Sequence, residues 1–80
     1  MTDLFFPEMR GNPAARGVPR GVLTCWLAAD GSRVRVGDRL AEVRMAGAAG
    51  WVSALATGTL WHQVDEGEVL APGSVVGLIE

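Results

Sequence analysis

The chain has 80 residues, a formal net charge of −2 and a sequence pI near 5.2. A chain of this length has room for one hydrophobic core, so residues 1–80 are predicted to form a single domain. The acidic balance gives no electrostatic footprint for nucleic acid. No apolar run approaches the roughly 18 residues of a membrane span, and no basic-then-apolar leader opens the sequence. We therefore expect a cytoplasmic domain that binds neither nucleic acid nor membrane.

Short apolar segments, separated by glycine and proline, follow one another along the chain. Turn residues at intervals of roughly eight to twelve residues are typical of all-β sandwiches and barrels. No window keeps a helical period, and the alanine-rich stretch 46–49 is interrupted by Gly47. The sequence predicts strands at Asp3–Phe6, Val22–Leu27, Val34–Val36, Leu40–Met45, Trp51–Ala54, Thr59–Val64, Val69–Leu70 and Val75–Ile79.

The segment 9–21 separates the first two predicted strands and is rich in residues that oppose regular structure. It contains Pro13, Pro19 and the arginines Arg10, Arg16 and Arg20, with several glycines between them. Proline removes a backbone donor and glycine widens the backbone freedom. We therefore predict a long, mobile surface loop over 9–21.

The sequence also contains a weak internal repeat. An acidic-Gly turn, an apolar residue, a second glycine and an apolar strand occur twice at a constant offset: Asp30-Gly31, Val34, Gly37, Leu40 and Val43 match Glu66-Gly67, Leu70, Gly73, Val76 and Ile79. Each half has one apolar face to bury, so two equivalent half-sheets are predicted to pack face to face. The predicted core, worth about 1.5–3 kcal/mol per fully buried side chain, comprises Val34, Leu40, Val43, Val52, Leu60, Val64, Leu70, Val76 and Ile79.

Over almost the whole chain these residues resemble the biotinyl/lipoyl carrier domains. The matching features are the opening Phe6-Pro7-Glu8-Met9, Gly21, Trp26, Asp30-Gly31, Val34, Gly37-Asp38, Leu40-Ala41-Glu42-Val43, Val52, Ala54, Gly58, Leu60, Glu66-Gly67, Gly73 and Ile79. The resemblance implies the hammerhead fold of that family, an all-β flattened sandwich or barrel of two antiparallel sheets related by a pseudo-two-fold axis. It also implies a hairpin tip, on which the carriers hold biotin or lipoate through the side-chain amine of a lysine.

The tip is where the chain departs from the family. All seven basic residues are arginine, so the chain contains no lysine, and Gly47 stands at the position of the modified lysine. Lipoyl domains carry Asp-Lys-Ala at the tip and biotinyl domains Met-Lys-Met, whereas this chain has Ala46-Gly47-Ala48. Because glycine has no side-chain nucleophile, the usual amide attachment is excluded and we expect no cofactor. The loop 9–21 is also longer than the usual lipoyl loop, and the stretch 58–67 is shorter.

The resemblance places a candidate interaction site at the tip, because in lipoyl domains the first long loop lies beside the tip and helps partner enzymes to recognise the domain. The candidate partner-binding residues are Met45, Ala46, Ala48, Trp51, Arg10, Arg16 and Arg20. Trp51 and Trp61 alternate out of phase with the apolar residues beside them. Two interpretations stay open for these tryptophans. They anchor a protein interface, or they cap the edge of the sandwich.

The other polar residues give no catalytic pattern. His62 has neither the companion ligands of a zinc site nor a serine or cysteine to activate. Cys25 is expected to be a small buried residue on a strand, and Trp26 is expected to be structural. The carboxylates Asp30, Asp38, Asp65 and Glu66 fall at turns, where they accept backbone hydrogen bonds. We expect neither a metal site nor an enzyme activity.

The predicted function is that of an unmodified lipoyl/biotinyl-like domain that binds a protein partner. The candidate systems are a 2-oxo acid dehydrogenase and a biotin-dependent carboxylase. One alternative is a genuine carrier or accessory subunit of an acyl- or carboxyl-transfer complex, with an attachment other than through lysine. A second alternative is a domain that binds a small molecule between its sheets.

Overall fold

The computed structural model describes residues 1–8, 20–45 and 47–80, and over these residues the chain is all-β, without a helix. Its strands are β1 (Thr2–Phe5), β2 (Gly21–Trp26), β3 (Arg33–Val34), β4 (Arg39–Met45), β5 (Ala48–Ser53), β6 (Gly58–His62), β7 (Val69–Leu70) and β8 (Val75–Ile79). They form two four-stranded antiparallel sheets with the orders β1-β8-β6-β3 and β5-β4-β2-β7. The prediction of an all-β chain with two antiparallel sheets is confirmed. No helix in the described ranges is long and apolar enough to cross a membrane.

Each predicted strand is present, and the differences in their ends have local causes. Gly21 begins β2 instead of ending the loop 9–21, because it pairs with both Met45 and Leu70. The strand β5 begins at Ala48, before the predicted start at Trp51. Alanine and glycine have low strand propensity, so here the continuous pairing with β4 decides the boundary. Residues 9–19 of the predicted loop lie outside the described residues.

The core lies between the two sheets and is built by alternation along each strand. Of the predicted core, all but one residue are buried, and Leu4, Phe6, Leu23, Ala41, Met45 and Ala54 join them. The exception is Val64, which is half-buried and packs against the core from outside. It lies beyond the end of β6 at His62, so its side chain is not held by the alternation of that strand.

The glycines of the internal repeat occupy equivalent turns. Gly31 and Gly67 have φ angles of 80° and 82°, and Gly37 and Gly73 have φ angles of 92° and 86°. Glycine adopts this left-handed region at little steric cost, whereas other residues rarely do. The spacing of the repeat therefore has a conformational basis in the fold.

Candidate interaction site

The hairpin tip joins β4 to β5. The pairing of the two strands continues to Met45 and Ala48, so the connection consists of two residues, Ala46 and Gly47. Gly47 is exposed and has a φ angle of 81°. Among the described residues, a Cβ atom added to it would meet nothing within 4 Å, so glycine is favoured here by the backbone angle and not by crowding. Ala46 lies outside the described residues.

The apolar residues of the tip divide between the core and the surface. Met45 is only 3% exposed and belongs to the core cluster. Ala48 is half-buried at the start of β5, and Ala49 is exposed. The exposed part of the tip is therefore smaller than predicted, and the buried side chain of Met45 does not belong to the candidate interaction surface.

Trp51 lies on the outer face of β5, which is an edge strand. Its side chain is 42% exposed, so it is not a core residue. The guanidinium carbon of Arg39 lies 4.5 Å from the centroid of the Trp51 ring. At an exposed site such a cation–π contact contributes about 0.5–1 kcal/mol. Trp51 therefore presents a large, oriented aromatic surface beside a cation.

The arginines of the predicted site are only partly within the described residues. Arg20 is exposed and immediately precedes Gly21, which pairs with Met45 at the base of the tip. Arg20 therefore lies next to the base of the tip, whereas Arg10 and Arg16 lie outside the described residues. The sequence alone had not singled out Arg39, whose contact with Trp51 depends on the β4–β5 register.

Most of the turn carboxylates are engaged with the backbone. Asp30 Oδ1 accepts a hydrogen bond from the N–H of His62 at 2.8 Å, and Asp38 Oδ2 accepts one from the N–H of Arg35 at 2.8 Å. Glu66 and Glu68 likewise accept from the N–H groups of Trp26 and Asp65. Among the described residues the only ion pair joins Arg44 Nε to Glu42 Oε1 at 3.9 Å. Exposed pairs of this kind contribute at most about 1 kcal/mol, so the carboxylates act mainly as turn caps.

His62 is held in a structural arrangement at the end of the sandwich opposite the tip. Its ring stacks on Trp26 with a centroid distance of 3.8 Å and an interplanar angle of 8°. His62 Nε2 lies 2.8 Å from the carbonyl oxygen of Ala28, and Trp26 Nε1 donates to the carbonyl oxygen of Val64 at 3.1 Å. The described residues contain no group of three or more side chains that could hold a metal ion. The arrangement gives His62 a packing role that links β6 to β2.

Cys25 differs from its prediction as a buried residue. It is half-buried, and its Sγ lies 3.9 Å from Glu42 Oε2. The irregularity in the β2–β4 pairing between Leu23 and Cys25 places Cys25 opposite Glu42 on the outer side of the sheet.

An apolar groove runs between the edge strands β1 and β5, which belong to different sheets. It has a volume of about 210 Å³ and is lined by Leu4, Phe5, Pro7, Trp51, Val52, Ser53 and Leu55. Phe5 and Leu55 are 48% and 63% exposed, so with Trp51 they form an apolar rim. This groove was not predicted, because residues distant in sequence meet there only once the two sheets have packed.

The chain matches no protein-family model, no curated protein and no solved structure. The site is therefore interpreted from its own geometry.

Proposed function

We propose that the chain is a biotinyl/lipoyl-like hammerhead domain without a usable attachment site, and that it acts as a protein-interaction or accessory module. The strand order carries this proposal. The two sheets have the orders β1-β8-β6-β3 and β5-β4-β2-β7. Position by position, β1 corresponds to β5, β8 to β4, β6 to β2 and β3 to β7, so each strand corresponds to the one four places away in a cyclic count of the eight strands. A pseudo-two-fold axis between the sheets would produce this exchange. The sequence repeat supports the same axis.

The composition of the tip supports a domain that carries no cofactor. A carrier needs a nucleophilic side chain on the exposed hairpin, and the tip residues 46–50 are Ala-Gly-Ala-Ala-Gly. This argument also weakens the alternative of a carrier with an unusual attachment, because none of these side chains can form a covalent bond to a cofactor. An accessory subunit without attachment stays compatible with the proposal.

The outer surface along β5 supports a protein partner. Tryptophan and arginine are enriched at protein interfaces, and the Trp51–Arg39 pair lies beside the apolar rim of Phe5 and Leu55. This groove is less well suited to a small molecule, since its volume of about 210 Å³ is below the usual range of roughly 300–1,000 Å³ for ligand pockets. A subunit of a 2-oxo acid dehydrogenase or of a biotin-dependent carboxylase is the partner class that the resemblance favours.

Replacing Trp51 by alanine tests the proposed surface. We expect Trp51→Ala to weaken partner binding by about 2 kcal/mol, or roughly 30-fold, because a central interface tryptophan commonly contributes this much. The free energy of unfolding should change by less than about 1 kcal/mol, since the exposed side chain loses mainly its contact with Arg39. The measurement is quantitative capture of dehydrogenase and carboxylase subunits from lysate of the source cells by the immobilised domain.

Trp61→Ala is the matched control, because Trp61 is 38% exposed on the outer face of the other sheet. Equal capture of such a subunit by the Trp51→Ala and wild-type domains would contradict the proposed surface. Failure of the wild-type domain to retain any subunit of either complex would contradict the proposed partner class.

A further inference from the structure

Within the described residues, the edge strand β5 lacks several of the usual protections against strand pairing. Of the four edge strands, β3 and β7 have two residues each, and the four-residue β1 carries Asp3. By contrast, β5 has six residues, Ala-Ala-Gly-Trp-Val-Ser, with no charge and no proline. Proteins usually protect exposed edges by shortness, charge, proline, bulges or a covering segment. The β4–β5 pairing has an irregularity only at its end, between Arg39 and Ala41, so Ala48–Val52 form a regular edge that is suited to pairing with another strand.

We propose that this strand is a dimerisation site, at which two copies of the chain pair antiparallel through β5 about a two-fold axis at Gly50. A two-fold interface uses the same patch on both copies, and a strand edge meets this requirement because its donors and acceptors match those of its own antiparallel copy. The product would be a continuous eight-stranded sheet made from two β5-β4-β2-β7 sheets. The inference does not depend on the function proposed above.

The alternation of β5 limits the possible registers. Ala49, Trp51 and Ser53 are the exposed, outward-facing residues, and directly opposed residues in an antiparallel pair lie on the same face of the sheet. Trp51 would therefore lie opposite the second copy's Ala49, Trp51 or Ser53, which places the axis at Gly50, Trp51 or Val52 respectively. The third register pairs only three strand residues of each copy, Trp51–Ser53, whereas each of the other two pairs five.

Charge complementarity favours the axis at Gly50 over the axis at Trp51. Within one chain, Ala49 pairs with Arg44 and Trp51 pairs with Glu42. If Ala49 of one copy lies opposite Trp51 of the other, the four residues in line across the joined sheet are Arg44, Ala49, the second copy's Trp51 and the second copy's Glu42. Each such row of four residues therefore begins with a positive charge and ends with a negative charge. With the axis at Trp51 instead, the row that contains the two Trp51 residues would have Glu42 at both of its ends.

With the axis at Trp51, the row that contains Ser53 and Ala49 is equally unfavourable. Ser53 pairs with Arg39, so opposing Ser53 to Ala49 would place arginines, Arg39 and Arg44, at the two ends of that row. In the chosen register the charges at the row ends are about 14 Å apart at their Cα atoms, which is three strand spacings. At this distance the charges would favour one orientation of the two copies but would add little to the stability of the dimer.

The packing is compatible with the same register. The small Ala49 side chain leaves room beside the second copy's Trp51, and five residues from Ala48 to Val52 can pair on each copy. Trp51 stays on the outer face of the joined sheet, so the dimer would present two copies of the Trp51–Arg39 surface. The groove between β1 and β5 would be covered along one side by the second copy.

Sedimentation velocity as a function of concentration tests the dimer. We expect the wild-type chain to form a reversible dimer below about 1 mM, and Ala49→Glu to raise the dissociation constant at least about tenfold, because the new carboxylate would face the second copy's Trp51 and Glu42. Within its own chain the new carboxylate lies beside Arg44, so the fold should be retained. Ala71→Glu is the matched control, since exposed Ala71 follows β7 at the far edge of the same sheet. A wild-type chain that is monomeric at 1 mM would overturn the proposal, as would equal weakening by the two variants.

Cysteine cross-linking tests the register. In a Cys25→Ser background, an equimolar mixture of Ala49→Cys and Trp51→Cys chains should form a disulfide-linked dimer on oxidation. Directly opposed Cα atoms are about 4.5–5.5 Å apart, which lies within the range of disulfides. Each variant alone should cross-link at least about tenfold more slowly, because neither places two cysteines opposite each other. Cross-linking by Trp51→Cys alone at the rate of the mixture would overturn the register, and no cross-linking in the mixture would overturn the pairing.

Discussion

Replacing Phe6 by alanine is expected to lower the free energy of unfolding by about 3–5 kcal/mol, the usual effect of removing a buried phenylalanine. Phe6 is 1% exposed and packs against Gly21, so closely that a Cβ atom there would collide with the Phe6 ring. Its backbone is also fixed, because its N–H donates to Ser74 and its carbonyl oxygen accepts from Gly73. The side chain therefore joins the end of β1 to β2 below the tip, and its loss would leave a cavity there. Urea denaturation measures the effect.

The neighbouring phenylalanine provides the control for this prediction. Phe5 is 48% exposed on the rim of the groove, so Phe5→Ala should cost less than about 1 kcal/mol. Equal destabilisation by the two substitutions would mean that the alternation of β1 does not separate core from surface as described.

The second large effect is expected at the end of the sandwich opposite the tip. Trp26→Ala should lower the free energy of unfolding by about 3 kcal/mol, because it removes the stack on His62, the hydrogen bond to Val64 and packing against the core. Trp61→Ala serves as the control and should cost about 1 kcal/mol, since Trp61 lies on the outer face. The comparison uses thermal and urea unfolding of both variants. A Trp26→Ala chain as stable as Trp61→Ala would show that the stack does not join the sheets.

The strands could be predicted from the sequence because their signal is local. Alternating apolar residues identify Leu40, Val43, Leu60, Val76 and Ile79 as core, and all five are buried. The glycines of the repeat mark the turns for a related reason, because those turns need positive φ angles. These properties depend on neighbouring residues along the chain, so they are visible before the sheets are assembled.

The interaction surface was harder to predict because it depends on contacts between distant residues. Trp51 could be placed on an outer face by alternation, but its contact with Arg39 requires the β4–β5 register. The groove requires β1 and β5 to lie at facing edges of different sheets. Met45 was predicted to belong to the interaction surface because it lies beside the tip. Its side chain is instead buried, because it lies at the end of β4 on the core face of that strand.

The absence of lysine becomes informative only together with the tip geometry. A Cβ atom at Gly47 would meet no atom of the described residues within 4 Å, so these residues leave space for a side chain that the sequence does not supply. The backbone angle at Gly47 suits glycine, and the adjoining residues are small. In the proposed function the tip carries no cofactor, and the interaction surface lies further along β5, where Ala48–Gly50 separate Trp51 from Gly47.

The measurement that tests the central proposal most directly is the mass of the protein isolated from its own cells, with peptide mapping across the tip. The proposed unmodified domain predicts that the peptide containing residues 45–51 has the mass given by its sequence, and that incubation with lipoate or biotin ligase, cofactor and ATP leaves this mass unchanged. A lipoyl or biotinyl mass on any side chain of the native or incubated protein would contradict the proposal and would favour a genuine carrier.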